Sequence, residues 1–344
     1  MRTDSSFKLL MLLSLACAWS PPTCRAQSSE SVVKPTLELH NDLVGDQDDL
    51  CFWLHPTDPT QSLVIASDKK ANLLFVYDLN GVVNQTIEVK KPGNIDIRQG
   101  VQFGKQVLDI AVVNSRDGQP SIRVFAIDAA SRQLNAIDEG GIPTRPNYGG
   151  CLAYDKNQKR LWFFCTSEDV GVTQYELNMS DTKTIRGQEV RQIELGKCEG
   201  AVADDESKSL FVAVEDEGVW LFGMMPEDSA TGEKIISVGV DGLQADLEGV
   251  TLARMPDKTA ALIVSSQGAN RFCIYERSKP WRQISAFAIS GATSSDGIDL
   301  IQNDRLPNFG QGIFGCHTDT QKHPILLTPW SSILEGQSMT KAKP

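Results

Sequence analysis

Leu63-Val64-Ile65-Ala66-Ser67 is a short apolar run rich in β-branched residues, and it recurs along the chain. Comparable runs are Leu108 to Asn114, Leu161 to Ser167, Leu210 to Glu215, Leu262 to Ser266 and Ile313 to His317. Their last residues fall at 67, 114, 167, 215, 266 and 317, so successive runs lie 47 to 53 residues apart. A second run follows each of the first five, with an aromatic at its middle: Tyr77, Phe125, Tyr175, Trp220 and Tyr275. A third series precedes each first run: Cys51 to Leu54, Ile95 to Ile97, Cys151 to Tyr154, Ala201 to Ala203, Val250 to Leu252 and Ile298 to Ile301. Turns such as Asp78-Leu79-Asn80-Gly81 separate the runs. Each unit holds three strands with room for a fourth. Six such units predict an all-β fold, a six-bladed β-propeller over residues 46–335. A blade cannot bury both of its faces alone, and stacking around an axis buries them.

The flanks read differently. Arg2 and Lys8 precede an apolar run from Leu9 to Trp19, which is too short to span a bilayer. Residues 1–26 therefore read as a signal peptide with Ala26 before the cut, the alternative being a buried N-terminal helix. A secreted protein, extracellular or periplasmic, with no membrane span is expected. Residues 27–45 read as an N-terminal tail and residues 336–344 as a C-terminal one. Export leaves Cys51, Cys151, Cys165, Cys198, Cys273 and Cys316, and permits disulfides. Cys151 and Cys165 flank the turn Asp155-Lys156-Asn157-Gln158-Lys159, so they are either a pair across a hairpin or two buried free thiols.

With 41% apolar and 22% charged residues, the composition is that of a globular chain with a sizeable core. The net charge of −11 argues against a broad nucleic-acid surface. An acidic protein can still bind an anion when metal cations supply the positive field. No Walker loop, HExxH, nucleophile elbow or Arg-His-Gly signature is present.

Propeller geometry sorts the polar residues. The innermost strand of a blade lines the channel and the second returns antiparallel, so the start of one and the end of the other share a face of the disc. The starts carry Asp48 and Asp49, Asp96, Glu199, Glu248 with Asp246, and Asp296. Asp49 to Asp96 spans 47 residues, Glu199 to Glu248 49, and Glu248 to Asp296 48. The third repeat has Tyr148 and Gly149 in that place. The second strands end in Asp68-Lys69-Lys70, Ser115-Arg116, Ser167-Glu168, Glu215-Asp216 and Gln267. So many carboxylates at one mouth require raised pKa values or intervening cations. The donors are nearly all oxygen and the chain has four histidines, which favours hard cations and, with irregular loop ligands, calcium over magnesium. The alternative is a solvated acidic rim. Lys69, Lys70 and Arg116 share the mouth with the acids and either pair with them or form a phosphate clamp. Metal-activated water attacking phosphorus directly suits such a clamp.

At these residues the chain resembles the bacterial β-propeller phytases, the calcium-dependent 3-phytases. The matching pieces run in order from Asp48-Asp49 with Trp53, through Asp68-Lys69-Lys70, Asn94-Ile95-Asp96-Ile97-Arg98 and Glu199-Gly200, to Ala203-Asp204-Asp205-Glu206. Glu215-Asp216-Glu217, Asp246-Leu247-Glu248-Gly249, Ser265-Ser266-Gln267-Gly268, Ile274-Tyr275-Glu276-Arg277 and Asp296-Gly297-Ile298-Asp299 follow. The resemblance implies several calcium ions and cleavage of phytate (myo-inositol hexakisphosphate) through a metal-bridged water. It implies metal ligands among Asp48, Asp49, Asp96, Glu199, Glu215, Asp246, Glu248 and Asp296. It implies catalytic roles for Lys69, Arg116, Tyr148, Glu168 and Glu215, and substrate contacts from Lys70, Arg98 and Gln267. Ser167 stands where the family usually carries a lysine, and Leu50 where a proline is common. The partner is expected to be a small polyphosphorylated molecule and the protein a monomer. The competing readings are a non-catalytic calcium- and phosphate-binding propeller and a lactonase-like calcium hydrolase.

Overall fold

Runs of Val, Ile, Phe and Trp suit a pleated backbone buried on one or both faces. In the computed structural model, which describes residues 31–341, they form six sheets. From channel to rim, blade one is Gln47–Trp53, Leu63–Asp68, Leu73–Asp78 and Val83–Glu88. Blade two is Pro92–Phe103, Gln106–Ser115, Ser121–Asp128 and Gln133–Ala136, with Ile142–Pro143 added beside its third strand. Blade three is Gly149–Asp155, Arg160–Thr166, Val172–Met179 and Ile185–Ile193. Blade four is Cys198–Asp204, Ser209–Val214, Gly218–Gly223 and Glu233–Ser237. Blade five is Leu247–Arg254, Ala260–Ser266, Arg271–Glu276 and Gln283–Ile289. Blade six supplies Ile298–Ile301, Ile313–His317 and Ile325–Pro329. The expected six-bladed propeller is therefore the observed fold.

The core is divided among the clefts between blades. Trp53, Ile65 and Val76 of blade one pack with Ile95, Val113 and Phe125 of blade two. Equivalent clusters fill the other five clefts, the last joining Leu50, Val64 and Phe75 to Ile313, Ile325 and Leu327 of blade six. The inner strands Gln47–Trp53 and Gly149–Asp155 are buried throughout because they are covered on both faces.

Segments expected to be tails are built into the ring. Leu37–Leu39 is the fourth strand of blade six, antiparallel to Ile325–Pro329, and Leu39 is fully buried. Ser31–Val33 adds a parallel strand to the rim of blade five, Ser31 opposite Phe287. Without Leu37–Leu39, Ile325–Pro329 would be an open edge at the seam. The helix Trp330–Lys341 runs across the boundary expected at residue 335, with Trp330 and Ile333 buried between blades five and six. Residues 1–26, read as a signal peptide, lie outside the described residues. Among the described residues no helix is long and apolar enough to cross a membrane.

The six cysteines between Cys51 and Cys316 are buried and none is in a disulfide among the described residues. Cys151 lies opposite Phe164 and Cys165 opposite Gly150, a register offset of one. One residue of offset sends side chains to opposite faces. Cys151 accordingly packs toward blade four and Cys165 toward blade two, so the pair does not form a bridge.

Candidate active site

The acids at one mouth are aimed by a repeated β-bulge. Between Gln47 and Leu50, Pro92 and Ile95, Cys198 and Ala201, and Leu247 and Val250, two residues of the inner strand oppose one of the second. A bulge redirects a side chain locally. Its first residue is Asp48 in blade one, Glu199 in blade four and Glu248 in blade five. Asp296 stands two residues before the inner strand of blade six, and Tyr148 immediately before that of blade three. In blade two the position is Gly93, not Asp96.

In blades four, five and six a glycine after the acid lets the blades touch. A methyl group on Gly200 would collide with the carbonyl of Glu248, and one on Gly249 with that of Asp296. Gly249 N–H donates to Asp296 O at 2.8 Å, and Gly297 N–H to Asp48 O at 3.1 Å. Bulges thus place Asp48, Glu199 and Glu248, and bonds from the neighbouring blade hold the backbone of Asp48 and Asp296.

Cations enter from the ends of the second strands. Lys69 Nζ lies 2.7 Å from Asp48 Oδ1, and 3.7 Å from both Asp46 and Asp296. Arg116 Nη2 lies 2.8 Å from Asp48 Oδ2, and its buried Nε has no hydrogen-bond partner. The Arg116 guanidinium stands 5.0 Å from the centre of the Tyr148 ring. Gln267 Nε2 donates to Asp296. Lys197, which sequence reasoning did not single out, lies 2.8 Å from Glu215 Oε2 and 5.3 Å from the Tyr148 ring centre.

Glu199, Glu215 and Glu248 offer carboxylate oxygens within 4.8 Å of one another, and all three residues are buried. Two full charges that close repel by about 3 kcal/mol at an effective dielectric of ~20. Burial, followed by the charges of Glu199, Glu215, Asp296 and Asp246, pushes Glu248 up to about 10. Burial and the charge of Asp48 hold Glu199 well above the usual range. Burial raises Glu215 against the opposing pull of Lys197. Burial and Asp48 raise Asp296 to about 6. Glu215 Oε1 and Glu248 Oε2 are buried without a hydrogen-bond partner. An all-oxygen trio with unsatisfied lone pairs fits a hard divalent cation. Asp246 is close enough to act on both Glu215 and Glu248.

Asp49, Asp96 and Arg98 have other partners. A ring of sheets leaves every inner strand with an edge toward the channel, whose N–H groups need acceptors. Asp49 Oδ2 accepts from Ile95 N at 3.0 Å, Asp96 Oδ2 from Leu152 N at 2.8 Å, and Asp299 Oδ2 from Phe52 N at 3.1 Å. Each carboxylate serves the edge of the next blade. Arg98 is gripped by Asp96 at 3.0 Å, by Asp205 at 2.9 Å and by the carbonyl of Ala203 at 3.1 Å. It lines a cavity of about 790 Å³ with Tyr154, Lys208 and Arg254, at the far ends of the inner strands. That cavity is the opposite mouth, where Lys208 is paired with Asp155 and Arg254 with Glu206. Lys70 and Glu168 are exposed on the rim of the acidic mouth.

Asp46, His317 and His323 also converge, outside the residues singled out in the sequence. His317 Nδ1 accepts the Asp296 N–H at 3.1 Å, so the neutral ring carries its proton on Nε2. Burial drops its pKa to about 4. A ring with one nitrogen engaged and the other protonated is a poor metal ligand, and His317 instead props Asp296.

Known proteins resolve which carboxylate-lined propeller this is. The phytase family profile matches residues 5–323. The chain is 32% identical over 303 residues to the 3-phytase of Bacillus subtilis (strain 168), covering 83% of this chain and 79% of that protein. The chain belongs to the phytase family. A crystal structure of a putative phosphatase from Bacteroides thetaiotaomicron VPI-5482 superposes with a TM-score of 0.58 over 87% of this chain and 77% of that one. Their identity is 11%, so that likeness concerns the fold alone. Membership in the phytase family makes the chain a phytate-hydrolysing enzyme.

Proposed function

We propose that this phytase is calcium-dependent and releases phosphate from phytate at the mouth built by Asp48, Glu199, Glu215, Glu248 and Asp296. The carrying observation is the buried Glu199, Glu215 and Glu248 trio, with two orphaned oxygens, beside Lys69 and Arg116. Those three glutamates, with Asp48, Asp246 and Asp296 near them, would hold the ions. Bound calcium would neutralise phosphate oxygens and activate the attacking water.

The chain's own residues do the rest. Burial is the largest influence on Lys69 and Arg116 and opposes their charge, but the surrounding acids together outweigh it, Asp48 with Asp296 and Asp46 at Lys69 and Asp48 with Glu199 at Arg116, so both stay charged. Arg116 Nε is a free donor for a phosphate oxygen, and the planar guanidinium suits the equatorial oxygens of the transferring group. Burial and the neighbouring Glu199 raise the Tyr148 hydroxyl, which keeps its proton and remains a donor through the neutral range. Attack of water forms one phosphorus–oxygen bond and breaks the ester bond. The products are inorganic phosphate and an inositol hydroxyl. Family membership favours this reading over the lactonase-like and binding-only alternatives.

Phosphate release from phytate should require calcium and stop with chelator. A Lys69→Ala, Arg116→Ala double variant should fall at least ~100-fold. Full activity in chelator, or in the double variant, would defeat the proposal. We further propose that residues 1–26 direct export; N-terminal sequencing of the mature protein should begin at Gln27.

A further inference from the structure

We propose that Lys197 is a phosphate ligand of this mouth, the third cation of a cradle whose other members are Lys69 and Arg116. The inference deepens the phytate reading and rests on it. The ends of the second strands bring a cation from blade one and another from blade two. Blade three brings Ser167, which is buried and whose hydroxyl is engaged by the N–H groups of Asp169 at 3.2 Å and Val170 at 3.4 Å. That sector would have no positive group of its own. Lys197 fills it from the neighbouring blade, because Cys198 N–H, one residue on, donates to Ser167 O at 3.1 Å. The Lys197 carbonyl also accepts Glu215 N–H at 3.1 Å, which fixes its backbone to the end of the second strand of blade four.

The side chain is placed for a ligand. Arg116 and Lys197 flank the same Tyr148 ring at 5.0 and 5.3 Å. Exposure rises across the cradle, from 11% for Arg116 to 29% for Lys69 and 46% for Lys197. Solvent reaches the Lys197 side of its pair with the buried Glu215 and screens it. An ammonium has three donors, and Glu215 takes one. A competing role is to keep Glu215 ionised by its charge alone, and the two roles predict different kinetics.

The test uses the full mature chain with calcium. For Lys197→Ala, KM for phytate and the inhibition constant of inorganic phosphate should each rise about tenfold. kcat should stay within about twofold and the melting temperature should not move. Lys197→Arg should recover most of the loss. Unchanged KM and phosphate inhibition would overturn the proposal. So would a loss confined to kcat with a raised calcium requirement, which would mean that Lys197 acts only through Glu215. If the wild-type chain released no phosphate from phytate, the functional reading would fail separately. Calorimetric binding of inorganic phosphate to wild type and Lys197→Ala would then still decide the role of Lys197, equal affinities ruling it out.

Discussion

Glu248 pulls stability and activity apart. Its charged form is opposed by burial and by four neighbouring acids, and one of its oxygens has no partner. Glu248→Gln keeps the shape and removes the charge. We expect phytate turnover to fall at least ~100-fold while the melting temperature in chelator rises by a few degrees, about 1 kcal/mol. Thermal scans with and without calcium check this; a lower melting temperature in chelator would contradict it. Arg98 should behave in the opposite sense. Its side chain is 16% exposed and answers Asp96 and Asp205, and removing it leaves two carboxylates without their cation. Arg98→Ala should cost about 3 kcal/mol of stability, with KM for phytate unchanged in the folded enzyme. An altered KM at normal stability would return Arg98 to the substrate site.

At the scale of the strand, the bulge decides which residues reach the mouth, and it also limits what the sequence can disclose. The buried runs that became second strands stand out because continuous apolar residues between polar turns have one simple explanation. Asp48, Glu199, Glu248 and Asp296 could be read as a set because they precede such runs. Asp96 entered that set by counting, 47 residues from Asp49, yet the backbone puts Gly93 in register with Asp48 and Asp96 three residues deeper. An extra residue in a strand changes which face a side chain meets and leaves no compositional mark. Lys197 carries no such signal, because it precedes its strand and lies outside the positions that recur between repeats. Ser31–Val33 and Leu37–Leu39 are three residues each, too short for alternation to be visible. The glycine after Glu199, Glu248 and Asp296 is the clearest local constraint. Gly200→Ala would press a methyl group into the Glu248 carbonyl, so it should cost about 2 kcal/mol and lower activity with it. Wild-type activity in that variant would show that the blades can separate there without disturbing the acids.

For the molecule as a whole, the mouth stores electrostatic free energy that calcium would relieve. Glu248 near 10, and Asp296 and Asp299 near 6, are raised above unfolded carboxylates, so the folded chain binds more protons between those limits. Stability without calcium should therefore be highest below pH ~4 as far as these groups are concerned, and should fall as pH rises through 6 and on toward 10. Calcium should flatten that decline, and its binding should release protons. Titration calorimetry in buffers of different ionisation enthalpy measures the release, and a result independent of buffer would contradict it. Closure of the ring is a second property of the whole. Leu39→Ala, at a fully buried position in the seam, should cost about 3 kcal/mol and leave kcat intact in the folded fraction.

The same seam orders the assembly of the ring. Leu37–Leu39 precedes all four strands of blade one in the chain, and its hydrogen-bonding partner, Ile325–Pro329, follows blades one to five. Five blades can assemble from neighbours in the nascent chain while that early strand waits. The disc cannot become a circle until all six blades are present, so the closing contact joins strands separated by the whole of the propeller sequence.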